Sequence, residues 1–231
     1  MKFEDKVAQL RIKKHKGAET EAFLNDVVTM AQGEALEYLL GEVLFCDAKI
    51  DLSYRPMIPR PETEFWVKQA LEEIEGGENK FVIRALDLFS GSGNVGLAIL
   101  KRFDNANVDM IEVDSRLKEQ IETSVVKNNI KKTRVRILTG DTFTGAVGTY
   151  DVITAVPPYV PSSMKDEVMQ ELKAEDPLSF FDKEDGYYYH KQVLHDANTF
   201  LKDNGVLYLE FDITQRAEVE KLILEYGFKT Y

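Results

Sequence analysis

The chain has 231 residues, 44% hydrophobic and 30% charged, the balance of a globular protein with room for one α/β domain and a small appendage. A net charge of −11 opposes generic affinity for nucleic acid phosphates, so no direct nucleic-acid binding is expected and a protein or small-molecule substrate suits the chain better. A lone cysteine, Cys46, excludes an intramolecular disulfide and a cysteine-rich zinc site. No apolar run reaches the roughly 18 residues of a membrane span, and Met1-Lys2-Phe3-Glu4 opens no signal core, so no membrane association and a cytoplasmic location are expected.

Residues 1–40 predict a short helical N-terminal region, with Val7, Leu10, Phe23, Val27, Leu36, Leu39 and Leu40 at helical intervals. Arg11, Lys13, Lys14, His15 and Lys16 form a basic cluster there, read as a solvated helix face. Residues 41–61 predict a β-hairpin, turning at Asp47-Ala48, and an extended connection set by Pro56, Pro59 and Pro61. A helix from Glu62 to the Gly76-Gly77 pair opens the third region, residues 62–231. Strands are expected at 85–89, 108–113, 135–138, 150–156 and 205–211, with helices at 95–103, through about 127, at 186–201 and at 215–226. Such alternation means a mostly parallel sheet covered on both faces, a Rossmann-like α/β fold. His190 and His195 stand five apart, wrong for paired ligands on one helix face, so no metal site is predicted and the histidines are read as surface or helix-face residues. The run Tyr187-Tyr188-Tyr189 is read as a packed helix start.

In a doubly wound sheet, ligands bind at the carboxyl ends of the strands, near the switch in strand order. The loop Asp87-Leu88-Phe89-Ser90-Gly91-Ser92-Gly93 lies there, between a strand and a helix. It lacks the Gly-Lys-Ser/Thr ending of a triphosphate loop and the third glycine of a dinucleotide loop, although Gly96 in the helix is available for packing. Asp87 sits inside the strand, where a carboxylate needs a cationic or hydrogen-bonding partner and suits a ligand with ammonium and sulfonium charges. Glu112 ends the next strand, placed for ribose hydroxyls. Asp141 with Thr142 follows the third strand, placed for an adenine amino group. Together these residues predict binding of S-adenosylmethionine, with S-adenosylhomocysteine as product, in a class I methyltransferase fold.

Three segments resemble the HemK/PrmC family of protein-(glutamine-N5) methyltransferases: Met57-Ile58-Pro59-Arg60-Pro61-Glu62-Thr63-Glu64, the glycine loop, and Val156-Pro157-Pro158-Tyr159. Gly33 to Gly41, Asp176-Pro177-Leu178, Glu184-Asp185-Gly186 and Gly205 to Glu210 match as well. The resemblance implies methylation of the glutamine in the Gly-Gly-Gln motif of a class I peptide-chain release factor. It implies that Arg60, Pro61, Glu62 and Thr63 line the cofactor site, that Phe89, Ser90, Gly91 and Gly93 cradle the cofactor with Asp87, Glu112, Asp141 and Thr142, and that Pro157, Pro158 and Tyr159 form the substrate pocket. It also implies a seven-stranded sheet ending in a β-hairpin. The chain stops at Phe228-Lys229-Thr230-Tyr231, so its fifth strand is expected to keep one edge poorly covered, favouring strand pairing between chains.

One position departs from the family pattern: Val156 stands where the family has asparagine. An amide nitrogen is a poor nucleophile, and acceptors for its two hydrogens orient it for in-line attack. Valine offers no acceptor, so methyl transfer is expected to be impaired. Either the chain has diverged in activity, or the residue was changed to trap substrate or cofactor. Two other readings stand beside a release-factor methyltransferase: a cofactor-binding but inactive homologue, and an amino-methyltransferase of a nucleic acid base, which uses a related motif.

Overall fold

The computed structural model describes residues 1–77, 82–165 and 175–230. Three helices open the chain: α1 (Phe3–Lys13), α2 (Glu21–Ala31) and α3 (Leu36–Leu40). Their helical-period apolar residues Leu10, Phe23, Met30 and Leu36 meet in a small core of their own. Three of the five residues of the nearby basic cluster pair with acids, Arg11 with Glu19 at 2.7 Å and Lys14 and His15 with Asp26 at 2.8 and 2.7 Å.

A hairpin follows, β1 (Glu42–Phe45) antiparallel to β2 (Ala48–Asp51). Its turn residues are Cys46 and Asp47, both with positive φ of 45° and 64°, which corrects the expected Asp47-Ala48 turn, because Ala48 already pairs with Phe45. Two left-handed residues give the turn a twist that matches the flanking strands. The remaining elements are α4 (Pro61–Gly76), β3 (Ile83–Leu88), α5 (Asn94–Arg102), β4 (Ala106–Glu112), α6 (Leu117–Lys127), β5 (Val135–Thr139), β6 (Tyr150–Ala155), α7 (Tyr188–Phe200), β7 (Leu201–Leu209) and α8 (Arg216–Glu225).

β3 to β7 form one parallel sheet in the order β5-β4-β3-β6-β7. The resemblance implies seven strands; among the described residues this sheet has five. β7 pairs with β6 alone among them, and it starts at Leu201, earlier than expected, with a register irregularity opposite Tyr150. The reversal in strand order falls between β3 and β6, where consecutive connections run to opposite sides and leave a crevice at the strand ends. One apolar core joins α4, α5, α6 and the hairpin to the sheet, and a second forms around Leu86, Leu88, Ile153, Val193 and Ala197, where α7 packs.

α6 fastens the hairpin by its backbone. The Asp51 N–H donates to Ser124 Oγ at 2.9 Å and the Lys49 N–H to Asn128 Oδ1 at 2.9 Å, while Asn128 Nδ2 donates to the Lys49 carbonyl at 2.7 Å. Asn128 thus bonds β2 as a neighbouring strand would, and it is buried. Asn128→Ala strips both Lys49 backbone groups of their partner and is expected to destabilise the protein by about 1–3 kcal/mol, read from urea unfolding.

Candidate active site

β3 delivers Asp87 and Leu88 to the switch point, and the chain then turns sharply into α5. The Ser90 N–H donates to the Ile111 carbonyl at 3.0 Å, and the Gly93 N–H closes the turn onto the Ser90 carbonyl at 2.6 Å. Gly93 caps α5 with φ +78°, a left-handed conformation that favours glycine, and a Cβ there would stand a tight 3.1 Å from the Ile121 side chain. Gly96 has the packing role foreseen for it. A Cβ at Gly96 would fall 2.5 Å from Met110 Cε and 3.1 Å from Asp87 Oδ2, so its absence lets α5 settle against the strands. Phe89 and Thr142, at the edge of the crevice, hold left-handed backbone although neither is glycine, with φ of 56° and 47°.

Each of the three expected acids has its own environment. Asp87 is 1% exposed; Oδ2 accepts the Gly96 N–H at 3.0 Å and Oδ1 accepts the Thr154 hydroxyl at 2.8 Å. Its partners are therefore dipoles of α5 and β6, and burial pushes its carboxyl up to about 7. Glu112 accepts the Gly91 N–H at 2.7 Å and the Asp114 N–H at 2.9 Å, and burial raises it too. Asp141 is more open and pairs with Lys183 at 3.2 Å. The Lys183 ammonium also lies 4.7 and 4.9 Å from the ring centres of Tyr188 and Tyr189.

These groups face a cavity of about 260 Å³. Arg60, Thr63, Asp87, Phe89, Ser90, Gly91, Glu112, Asp141, Thr142, Val156 and Pro158 all contribute to its wall. Pro61, Glu62, Gly93, Pro157 and Tyr159 do not. Pro61 and Glu62 are exposed in the first turn of α4, where helical rotation brings only Thr63 inward. Gly93 is buried behind the loop it ends. Tyr159 turns its hydroxyl away to donate to Glu210 Oε1 at 3.3 Å, and burial followed by the Glu210 charge pushes its phenol up.

Lys183, Tyr189, Arg116 and Leu178 also line the cavity, and none of them was expected in the site, although Tyr189 and Leu178 stand in segments quoted above. Nor was Glu175, a buried carboxylate that accepts Arg60 Nη2 at 2.7 Å and the Ile58 N–H at 3.2 Å. The only signal was the adjacent match at Asp176-Pro177-Leu178. The histidine reading needs correction at one position: His190 is fully buried, its Nε2 3.0 Å from the Glu210 carbonyl, and burial lowers its pKa. His195 is exposed beside Asp196, and Tyr187 to Tyr189 are half-buried at the start of α7.

The donor set fits a nucleoside that carries positive charge. Two carboxylates stand at the ends of adjacent strands for hydroxyl and amino donors, the glycine loop brings backbone close, and no fixed phosphate-binding lysine points from the loop. In the ligand-free protein the Asp87 proton is retained in the fold to about pH 7, whereas an unfolded aspartate loses it near 3.8. The stability this gives is complete below the unfolded value and is lost as pH rises through the folded one. Asp87→Asn keeps the uncharged form, so its melting temperature is expected to gain on that of the parent protein between about pH 4 and pH 7. Parallel melting profiles across that window would show that Asp87 does not titrate this way.

Known proteins agree with the geometry. The methyltransferase small domain family matches residues 71–179. A release factor glutamine methyltransferase from Thermodesulfovibrio yellowstonii is 33% identical over 197 residues, covering 84% of this chain and 70% of that protein. Another, from Streptococcus pneumoniae, is 30% identical over 88% of this chain and 71% of its own. Among solved structures, a methyltransferase from Pyrococcus furiosus superposes with a TM-score of 0.58 at 18% identity, covering 90% of this chain and 89% of that one. A Thermus thermophilus 16S rRNA methyltransferase bound to its cofactor and guanosine reaches 0.53 at 16% identity, covering 78% of this chain and 44% of its own, a likeness of fold alone. With a parallel sheet whose switch point carries this loop and these acids, the chain belongs to the release factor glutamine methyltransferase family.

Proposed function

We propose that this protein binds S-adenosylmethionine and methylates the side-chain nitrogen of the glutamine in the Gly-Gly-Gln motif of a class I peptide-chain release factor, with turnover held down by Val156. The observation that carries this reading is a single cavity wall. It unites Gly91, Glu112 and Asp141, suited to the cofactor, with Arg60, Thr63, Val156 and Pro158, suited to the acceptor.

When bound, the cofactor supplies a methyl group activated by its sulfonium. Glu112 would take the ribose hydroxyls, Asp141 and Thr142 the adenine edge, and the Phe89–Gly91 backbone with Asp87 the amino acid portion. A bound cation favours the ionised form of Asp87. Asp141 must share its carboxylate with Lys183, which already holds it.

At the acceptor end the protein's task is orientation. The amide nitrogen has a delocalised lone pair, and acceptors for its hydrogens turn it toward the methyl group. Val156 directs methyl groups into the cavity wall and packs against the main core, so the fold accommodates it readily. The acceptor amide is left one hydrogen bond short in a partly dry pocket, at a binding cost of about 1–3 kcal/mol. Loss of one preorganised contact in the transition state lowers rate by about 10²–10³.

The test is methyl transfer from labelled S-adenosylmethionine to a release factor, with the protein and with Val156→Asn. The variant is expected to transfer about 10²-fold faster at similar cofactor affinity. No gain would overturn the role given to Val156. Cofactor binding without transfer by either protein would replace the enzyme reading with that of an inactive binding homologue. Salt-sensitive RNA binding would redirect the search to a base.

A further inference from the structure

Beside Val156, on the neighbouring strand, lies a carboxylate that the cavity wall does not include. The Glu210 N–H donates to the Ala155 carbonyl, so Glu210 follows β7 just where Val156 follows β6. Its Oε2 accepts the Thr63 hydroxyl at 2.7 Å and the indole N–H of Trp66 at 2.7 Å. Its Oε1 accepts the Tyr159 hydroxyl at 3.3 Å, and its backbone carbonyl meets His190 Nε2. Three neutral donors, two from α4 and one from the loop after β6, converge on one carboxylate, which forms no ion pair among the described residues.

Two of those donors belong to the segments that build the acceptor end. Thr63 lines the cavity from the first turn of α4, and Tyr159 follows Pro158, which also lines it. The Tyr159 backbone is held separately, its carbonyl accepting Gln215 Nε2 at 3.0 Å. The hydroxyl at the far end of the Tyr159 ring has Glu210 as its hydrogen-bond acceptor. We infer that Glu210 is a positioning residue for methyl transfer, holding in place Thr63, which lines the acceptor pocket, and Tyr159, which follows Pro158 of its wall. This rests on the acceptor site proposed above and extends it to a residue outside the cavity.

The variants separate positioning from mere support. Glu210→Asp keeps the charge but is one methylene short of spanning all three donors; Glu210→Ala removes the acceptors. Glu210→Gln keeps them, because its carbonyl oxygen can take Thr63 and Trp66 while its amide donates to the Tyr159 oxygen. Labelling with 3-fluorotyrosine, with Tyr159→Phe to assign the Tyr159 resonance, reads ring position without any turnover. Transfer is read in the Val156→Asn background and cofactor affinity by calorimetry with S-adenosylhomocysteine. The Asp and Ala variants are expected to shift or broaden the Tyr159 resonance and lower kcat by about 10–100-fold, with cofactor Kd within about threefold, while Gln stays close to the parent in all three.

A Tyr159 resonance and kcat unmoved in Glu210→Asp would overturn the inference. So would cofactor affinity falling in step with transfer, which marks a residue that supports the fold as a whole. Should Glu210→Ala fail to fold, the Asp and Gln pair decides alone. If Val156→Asn transfers no methyl group to a release factor, the acceptor proposal fails. The fluorotyrosine resonance still shows whether Glu210 positions the ring.

Discussion

The carboxylate of Asp87 joins three elements at the point where the sheet reverses direction. One oxygen takes the Gly96 N–H from α5 and the other takes the Thr154 hydroxyl from β6, while the residue itself lies one short of the end of β3. A buried carboxyl that lacked either partner would be costly there. The bond to α5 requires the helix to approach closely, and that approach requires glycine at position 96. The glycine loop runs between these fixed ends, which is why it can hold Phe89 in a left-handed conformation and present the Gly91 N–H to Glu112. The half of the cavity proposed for the cofactor follows from this knot of contacts.

The half proposed for the acceptor is assembled differently. Its wall comes from the segment before α4, the first turn of α4 and the loop after β6, and the two loop segments have no regular ladder to hold them. Buried or half-buried carboxylates do that instead. Glu175 binds Arg60 and the Ile58 N–H, and Glu210 binds Thr63, Trp66 and Tyr159. Charged acceptors make stronger hydrogen bonds than neutral ones, which suits segments that must stay in place without strand partners.

The N-terminal region reaches the same wall through α3 and Glu34 just before it. Tyr38 of α3 donates to the Pro56 carbonyl at 2.7 Å, and Arg55 lies 4.2 Å from the Tyr38 ring centre while bonding both oxygens of Glu34 at 3.0 and 3.1 Å. Arg55 and Pro56 line the cavity. The N-terminal region therefore meets the cavity wall through the connecting segment, where three prolines already limit the backbone.

Periodicity and local chemistry are short-range properties, and they were legible in the sequence: helices and strands within a few residues, the glycine loop, the acids at strand ends, and the likeness to a family. The hairpin turn slipped by one residue because the choice of turn depends on two left-handed φ angles that Cys46 and Asp47 do not advertise. The buried state of His190 was missed because burial depends on what packs over a helix, not on the helix itself. Five expected site residues stand outside the cavity wall because a motif names a segment, whereas helix rotation and loop direction choose which side chains turn inward. Arg60 and Glu175 lie 115 positions apart and Thr63 and Glu210 lie 147 apart, so only the closed fold could make them partners. The sequence by itself determined the class of fold, the glycine loop and the acids at the strand ends, since each depends on neighbours along the chain. The tertiary structure alone decided what holds the acceptor pocket, since hydrogen bonds between distant segments exist only once the sheet has brought its strand ends together.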